Sequence, residues 1–205
     1  MKFLSFIGYP SYPGRDKADW KAYNATMALK GADFNGYADI RIRGKLHRIS
    51  GQNTKPILDF FGWKIVKCLE VQPAGTAIFV LPSSGCIDFG QDPKAARFVQ
   101  AIVDAGCKIP VAMPFHWSEL MPKAAGGGGP RNSAVLQPKL RFLPPPGIHR
   151  AILVDDVMTS GGHIRAAARI IRARGITPVG AICFARTMGV RPADILAPIH
   201  EEIDL

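Results

Sequence analysis

Apolar residues along this chain fall into two recurring patterns. Short unbroken runs, Thr76-Ala-Ile-Phe-Val-Leu81, Ala151-Ile-Leu-Val154 and residues 179–184, have the length and branched composition of strands buried on both faces. Between and after them, Ala95, Phe98, Val99 and Ile102, and then Ile164, Ala167, Ala168 and Ile171, recur at helical spacing. Asp92 as N-cap and Pro93 at the first helical position open the earlier helix, and Gly106 follows its end. Gly175 closes the later one as a C′ residue. Residues 108–115 read as a further buried strand, with Pro110 and Pro114 confining where it can pair. Strand, loop, helix, strand thus occurs twice, which predicts an α/β fold with a doubly wound, mainly parallel sheet.

Elsewhere the pattern is weaker. Residues 53 or 54 to 69 form a candidate amphipathic helix, and residues 116–148, with glycines at 126–129 and prolines at 144–146, read as one long irregular segment. The mildly apolar start, residues 1–7, is broken by Gly8, Pro10 and Pro13 before it could act as a signal-peptide core, and no apolar run approaches a membrane span. A cytoplasmic protein without a membrane partner is expected. Cys68, Cys86, Cys107 and Cys183 are scattered, with no metal-type pair, and read as reduced packing residues.

Length and charge narrow the classes. A chain of 205 residues suffices for one well-buried α/β domain with a small appendage. The formal charge is +10, and basic clusters occur at Arg41, Arg43, Lys45 and Arg48 and, at helical spacing, at Arg165, Arg169 and Arg172. Such clusters could bind nucleic acid or another polyanion, or be ordinary solvated faces.

The candidate chemistry sits where the second apolar run ends. Asp155 and Asp156 follow Val154 directly, at the carboxyl edge where ligands of open α/β sheets bind. Thr159, Ser160, Gly161 and Gly162 then offer hydroxyls and backbone amides to an anion, and the helix that starts there adds its positive end. Two carboxylates beside an anion cradle suit vicinal hydroxyls at one end of a ligand and a phosphate at the other, as in ribose 5-phosphate. The first run ends similarly in Ser83, Ser84 and Gly85, which suit a diphosphate or form a simple turn. No Gly-x-x-x-x-Gly-Lys-Ser/Thr occurs, so a Walker-type NTPase fits poorly.

Val154-Asp-Asp-Val-Met-Thr-Ser-Gly-Gly-His163 resembles the phosphoribosyl pyrophosphate (PRPP) motif of type I phosphoribosyltransferases. That motif reads apolar strand, two acids, an apolar residue, then Thr-Thr/Ser-Gly-x-Thr; this chain departs from it in closing on His163. The resemblance covers residues 75–190 and comes nearest to the ComF-type branch, whose N-terminal zinc-binding cysteines are missing here. It implies that Asp155 and Asp156 contact the ribose hydroxyls and that Met158, Thr159, Ser160, Gly161, Gly162 and His163 wrap the 5-phosphate. His163 would bind that phosphate or merely start the helix. Ser83, Ser84 and Gly85 take the place of the pyrophosphate loop.

The resemblance also gives residues 116–148 a role as a flexible loop closing over the substrate, with Lys123 and Arg131 reaching the pyrophosphate; a solvated linker is the alternative. It makes residues 1–74 a hood that selects the base, joined by residues 191–205, around a core of residues 75–190. Trp117, Phe115 and Phe184 could stack on a base, but read more readily as core. Mg²⁺ is the implied cofactor, held mainly by the substrate, with Asp155 or Asp156 assisting, and homodimers are frequent in the family.

Two functions follow. One is a phosphoribosyltransferase that displaces pyrophosphate from PRPP with a nitrogen nucleophile, normally a nucleobase. The other is a non-catalytic PRPP- or nucleotide-sensing module, or a nucleic-acid-associated accessory of ComF type.

Overall fold

The computed structural model describes residues 1–69, 71–122 and 132–205. In chain order the elements are Lys2–Pro10 (β1), Lys17–Lys30 (α1), Tyr37–Ile42 (β2), Lys45–Ser50 (β3), Lys55–Cys68 (α2), Thr76–Val80 (β4), Pro93–Asp104 (α3) and Val111–Ala112 (β5). They continue with Phe115–Trp117 (β6), Ser133–Leu136 (α4), Leu140–Phe142 (β7), Arg150–Met158 (β8), Gly162–Ala173 (α5), Thr177–Met188 (β9) and Ile199–Glu202 (β10).

One sheet has the order β10-β1-β9-β8-β4-β5. All neighbouring pairs from β1 to β5 are parallel, and β10 is antiparallel on the outer edge. Alternation along each strand sends successive side chains to opposite faces. Ile152 and Val154 join Ile78, Val80 and Phe184 in a core covered by α1, α2 and α3, while Ala151 and Leu153 join Ala77, Phe79 and Cys183 beneath α5. Helices on both faces make this a doubly wound α/β sheet, as the sequence pattern predicts.

Phe61 of α2 centres the first core, meeting Phe6, Phe98 and Phe184 edge-on at centroid distances of 6.0, 5.4 and 5.8 Å. Next to it, α2 and α3 approach so closely that a Cβ on Gly62 would fall 2.1 Å from the Ala101 carbonyl oxygen.

The helix signals hold locally. Asp92 caps α3 with Pro93 in its first turn, α2 begins after Thr54, and Gly175 follows α5 with φ 77°. Several boundaries differ from the sequence reading. The apolar start is β1, paired with β9 in the main sheet, and the C-terminal segment supplies β10 beside it, so the sheet is not confined to residues 75–190. Strands β8 and β9 run on through polar residues to Met158 and Met188, because β8 pairs with β9 as far as Arg186 and β1 pairs with β9 as far as Met188. Of residues 108–115 only Val111 and Ala112 join the sheet, since Pro110 and Pro114 have no N–H to donate.

The segment 116–148 is also more regular than expected. Phe115–Trp117 pairs antiparallel with Leu140–Phe142, and α4 lies before the return strand. The glycines at 126–129, Lys123 and Arg131 lie outside the described residues. The basic stretch near residue 41 is a hairpin of β2 and β3, turning on Arg43 (φ 49°) and Gly44 (φ 84°) as a two-residue turn requires. Among the described residues no helix is long and apolar enough to cross a membrane.

Candidate functional site

Asp155 and Asp156 lie within β8 rather than beyond its end, with Asp155 opposite Cys183 in register. Strand alternation therefore points them to opposite faces. Asp156, 5% exposed, meets Lys94 of the first turn of α3 at 2.6 Å and Lys30, the last residue of α1, at 3.6 Å. Burial alone would raise its carboxyl pKa, but the two ammoniums hold it well below the usual carboxylate range. Burial opposes the charge on Lys94 as well, yet Asp156, with Asp155 behind it, raises that ammonium's pKa.

Asp155, 7% exposed, takes a different partner. Its Oδ2 lies 3.2 Å from His163 Nδ1, and its Oδ1 accepts from the Asp156 amide at 2.8 Å. His163 Nε2 is enclosed and has no hydrogen-bond partner among the described residues. In this conformation the imidazole faces the acid and neither nitrogen is offered to a phosphate from solvent. Burial pushes the neighbouring Cys183 thiol well up, helped by both carboxylates, so it stays protonated and inert.

The turn after β8 has the backbone an anion needs. Gly161 takes φ 75°, the left-handed region that disfavours a side chain, and as N-cap it has no side chain to offer α5. The Gly162 amide donates to Ser160 Oγ at 3.4 Å, and the amides that follow it in the first turn of α5 have no acceptor within the helix. Met158 is buried, Thr159 half-buried and Ser160 exposed. Arg186 and Arg165 hold the carbonyls of Thr159 and Ser160.

The turn after β4 is built by a shared carboxylate. Asp92 Oδ1 caps α3 by accepting from the Lys94 and Ala95 amides at 3.0 and 3.1 Å, while Oδ2 accepts from the Ser83 amide at 2.6 Å. Trp117 Nε1 donates to the Ser83 carbonyl at 3.0 Å, and its indole stacks on His163 at 5.0 Å and 28°. The Met121 amide donates to Ser84 O at 2.9 Å. Ser83, Ser84 and Gly85 are thereby brought to the same edge as Asp155 and His163. Trp117, Phe115 and Phe184 are all core by burial, and Trp117 also joins the two turns.

Sequence reasoning overlooked Lys30, Lys94, Arg186 and the second role of Asp92. Lys94 alone left a trace: a cation in the first turn of a helix opposes the helix dipole, which hints at an acidic partner. The basic clusters are partly engaged: Arg169 donates to Ser133 Oγ at 3.2 Å and Arg48 pairs with Asp39 at 2.9 Å. Two surface concavities, of about 580 and 630 Å³, lie elsewhere, one beside Phe89, His116 and Phe142 and one between the β2–β3 hairpin and α2 and α3.

The donor set does not suit Mg²⁺ as a direct protein cage. Mg²⁺ demands octahedral oxygen coordination, whereas Asp156 already holds two ammoniums and Asp155 an imidazole. Among the described residues no group of three His, Cys, Asp or Glu side chains could hold a metal.

No family model matches the sequence, and no curated protein matches it. Among solved structures, the chain is similar to orotate phosphoribosyltransferase from Aeropyrum pernix, with a TM-score of 0.39 and 15% identity over 78% of each chain. It is similar to adenine phosphoribosyltransferase from Leishmania tarentolae at a TM-score of 0.42 and 13% identity, over 83% of this chain and 88% of that one. Adenine phosphoribosyltransferase from Trypanosoma brucei, in complex with AMP, pyrophosphate and ribose-5-phosphate, aligns at 0.38 and 13% identity over 73% and 75%.

Proposed function

We propose that this protein is a phosphoribosyltransferase that uses PRPP as donor and a nitrogen nucleophile, normally a nucleobase, as acceptor. The observation that carries this reading is the coincidence, at one edge of a parallel sheet, of a buried carboxylate, a glycine turn opening α5, and the Ser83 turn joined to it through Trp117.

In this reading the 5-phosphate sits on the first amides of α5, and Asp155 accepts from the ribose hydroxyls. Asp156 reaches the ligand only if Lys30 and Lys94 yield. The diphosphate lies at Ser83, Ser84 and Gly85, with Lys123 and Arg131 brought to it by the segment they belong to. The acceptor nitrogen bonds to C1 as the C1–O bond breaks; the electron pair of that bond leaves with pyrophosphate, and the proton of the acceptor N–H passes to the departing pyrophosphate or to water. Asp155 stabilises the positive charge that develops on the ribose, so catalysis is chiefly positioning and electrostatics. Mg²⁺ is carried by the substrate's own oxygens. Base selection falls to the β2–β3 hairpin and the segments around it. A homodimer and a cytoplasmic location belong to the same reading through the family resemblance.

One observation favours a second reading, a non-catalytic PRPP- or nucleotide-sensing or nucleic-acid-associated protein of ComF type: Asp156 is already neutralised by Lys30 and Lys94, and Asp155 is already engaged by the His163 imidazole. Calorimetric titration with PRPP and Mg²⁺, followed by a screen of nucleobases for pyrophosphate release, separates the two. Release with any base establishes the enzyme. Binding without release across purines and pyrimidines leaves the sensing module, and no binding ends both PRPP readings.

A further inference from the structure

Two consecutive carbonyls of the anion turn are each held by an arginine. Arg186, opposite Met158 near the end of β9, donates from Nη1 to the Thr159 carbonyl, while its Nε meets both carboxylate oxygens of Glu201 at 3.0 and 3.2 Å. Arg165, in the first turn of α5, donates from Nη1 to Ser160 O at 2.5 Å and from Nε to Asp204 O at 2.9 Å. The far side of each guanidinium therefore rests on the C-terminal segment. That segment is fixed in turn by the pairing of β10 with β1 and by the N-terminal ammonium on Ile203 O at 2.9 Å.

The planar trans peptide makes this consequential. Within one peptide unit the carbonyl of residue i and the N–H of residue i+1 point in opposite directions. Clamping the Thr159 and Ser160 carbonyls thus sets the direction of the Ser160 and Gly161 amides, in the turn that leads into the open first turn of α5. Each clamp also uses a property of arginine that lysine lacks, a rigid fork able to bond two acceptors at once.

We propose that Glu201 and Asp204 of the C-terminal segment are positioning residues of the phosphate site: Glu201 through Arg186, and the Asp204 carbonyl through Arg165, fix the carbonyls of the anion turn so that its amides face a phosphomonoester. The inference rests on the phosphate reading of this turn given above. The C-terminal strand thereby acts on ligand binding without touching the ligand, and Glu201, an acid in an anion site, works by holding a cation in place.

The test uses the intact chain, with ribose 5-phosphate and inorganic pyrophosphate as separate probes. Arg186→Lys and Glu201→Gln should each weaken ribose 5-phosphate binding by about tenfold, the scale of one lost charge-assisted hydrogen bond. Pyrophosphate, seated at the Ser83 turn, should keep its affinity. Hydrogen exchange of the amides at 160–164 should quicken in both variants. Glu202→Gln, one residue along the same strand, should change nothing.

Unchanged ribose 5-phosphate affinity in both variants overturns the proposal, and so does an equal loss for both probes, which would mark a general structural lesion. Failure of the unaltered protein to bind ribose 5-phosphate removes the phosphate reading itself, a result distinct from binding that Glu201→Gln leaves intact.

Discussion

Asp155 and Asp156 are adjacent in β8, yet their carboxylates face opposite sides of the sheet: Asp155 towards His163 at 3.2 Å under α5, Asp156 towards Lys94 at 2.6 Å on the side of α1 and α3. The acid pair is therefore two sites with different chemistry. Asp156 is the centre of a buried ion cluster, and Asp155 is the carboxylate held against His163 at the start of α5.

Removing the charge of Asp156 leaves Lys94 and Lys30 without their partner. Asp156→Asn should cost about 2 to 4 kcal/mol, somewhat below a fully buried pair because both ammoniums keep some solvent contact. The native carboxyl pKa is depressed, so its stabilisation is complete above the unfolded value of about 4 and disappears as pH falls through the native value. The native Lys94 pKa is raised, so that contribution is complete below about 10.4 and disappears as pH rises through its native value. Urea unfolding across pH should show a gap between the unaltered protein and the variant that is flat in between and closes at both ends.

Asp155→Asn should act on the ligand instead. PRPP affinity measured by calorimetry should fall by about tenfold or more, the loss of charge-assisted acceptance from the ribose hydroxyls. Equal PRPP affinity in Asp155→Asn and the unaltered protein would remove Asp155 from the site.

Asp92 serves an end of α3 and the Ser83 turn together. Asp92→Ala should lower unfolding free energy by about 1 to 2 kcal/mol, the usual loss of a helix cap. Because the Ser83 amide loses its acceptor as well, pyrophosphate affinity should also fall. Asp92→Asn, whose amide oxygen can still cap, should recover most of the stability, read from denaturant midpoints.

Gly62→Ala should be among the most damaging small substitutions. Its Cβ would lie 2.1 Å from the Ala101 carbonyl oxygen and 2.5 Å from the carbonyl carbon, both backbone atoms that move only if α2 and α3 separate. Overpacking of this kind costs about 1 to 3 kcal/mol, measurable by thermal or urea unfolding.

Much of this was legible along the chain. Asp92-Pro93 and Gly106 marked α3, and Gly175 marked the end of α5, because caps and breakers act within a turn or two of their own position. Thr159, Ser160, Gly161 and Gly162 announced the turn that opens α5 for the same local reason, whereas the strand end expected after Val154 lies at Met158. The reach of β8 and β9 through their polar residues was not legible, since those residues are held by hydrogen bonds to a neighbouring strand.

The sequence by itself determined the doubly wound α/β class and the place of the glycine turn that opens α5, both consequences of short-range periodicity and backbone preference. Only the tertiary structure decided that β1 and β10 complete the sheet, that Lys30 and Lys94 neutralise Asp156, and that Glu201 holds Arg186 against Thr159. Those contacts join residues far apart in the chain, and a charged side chain looks the same in sequence whether it faces water or a partner. Strand order and burial choose between the two, and both are properties of the packed molecule.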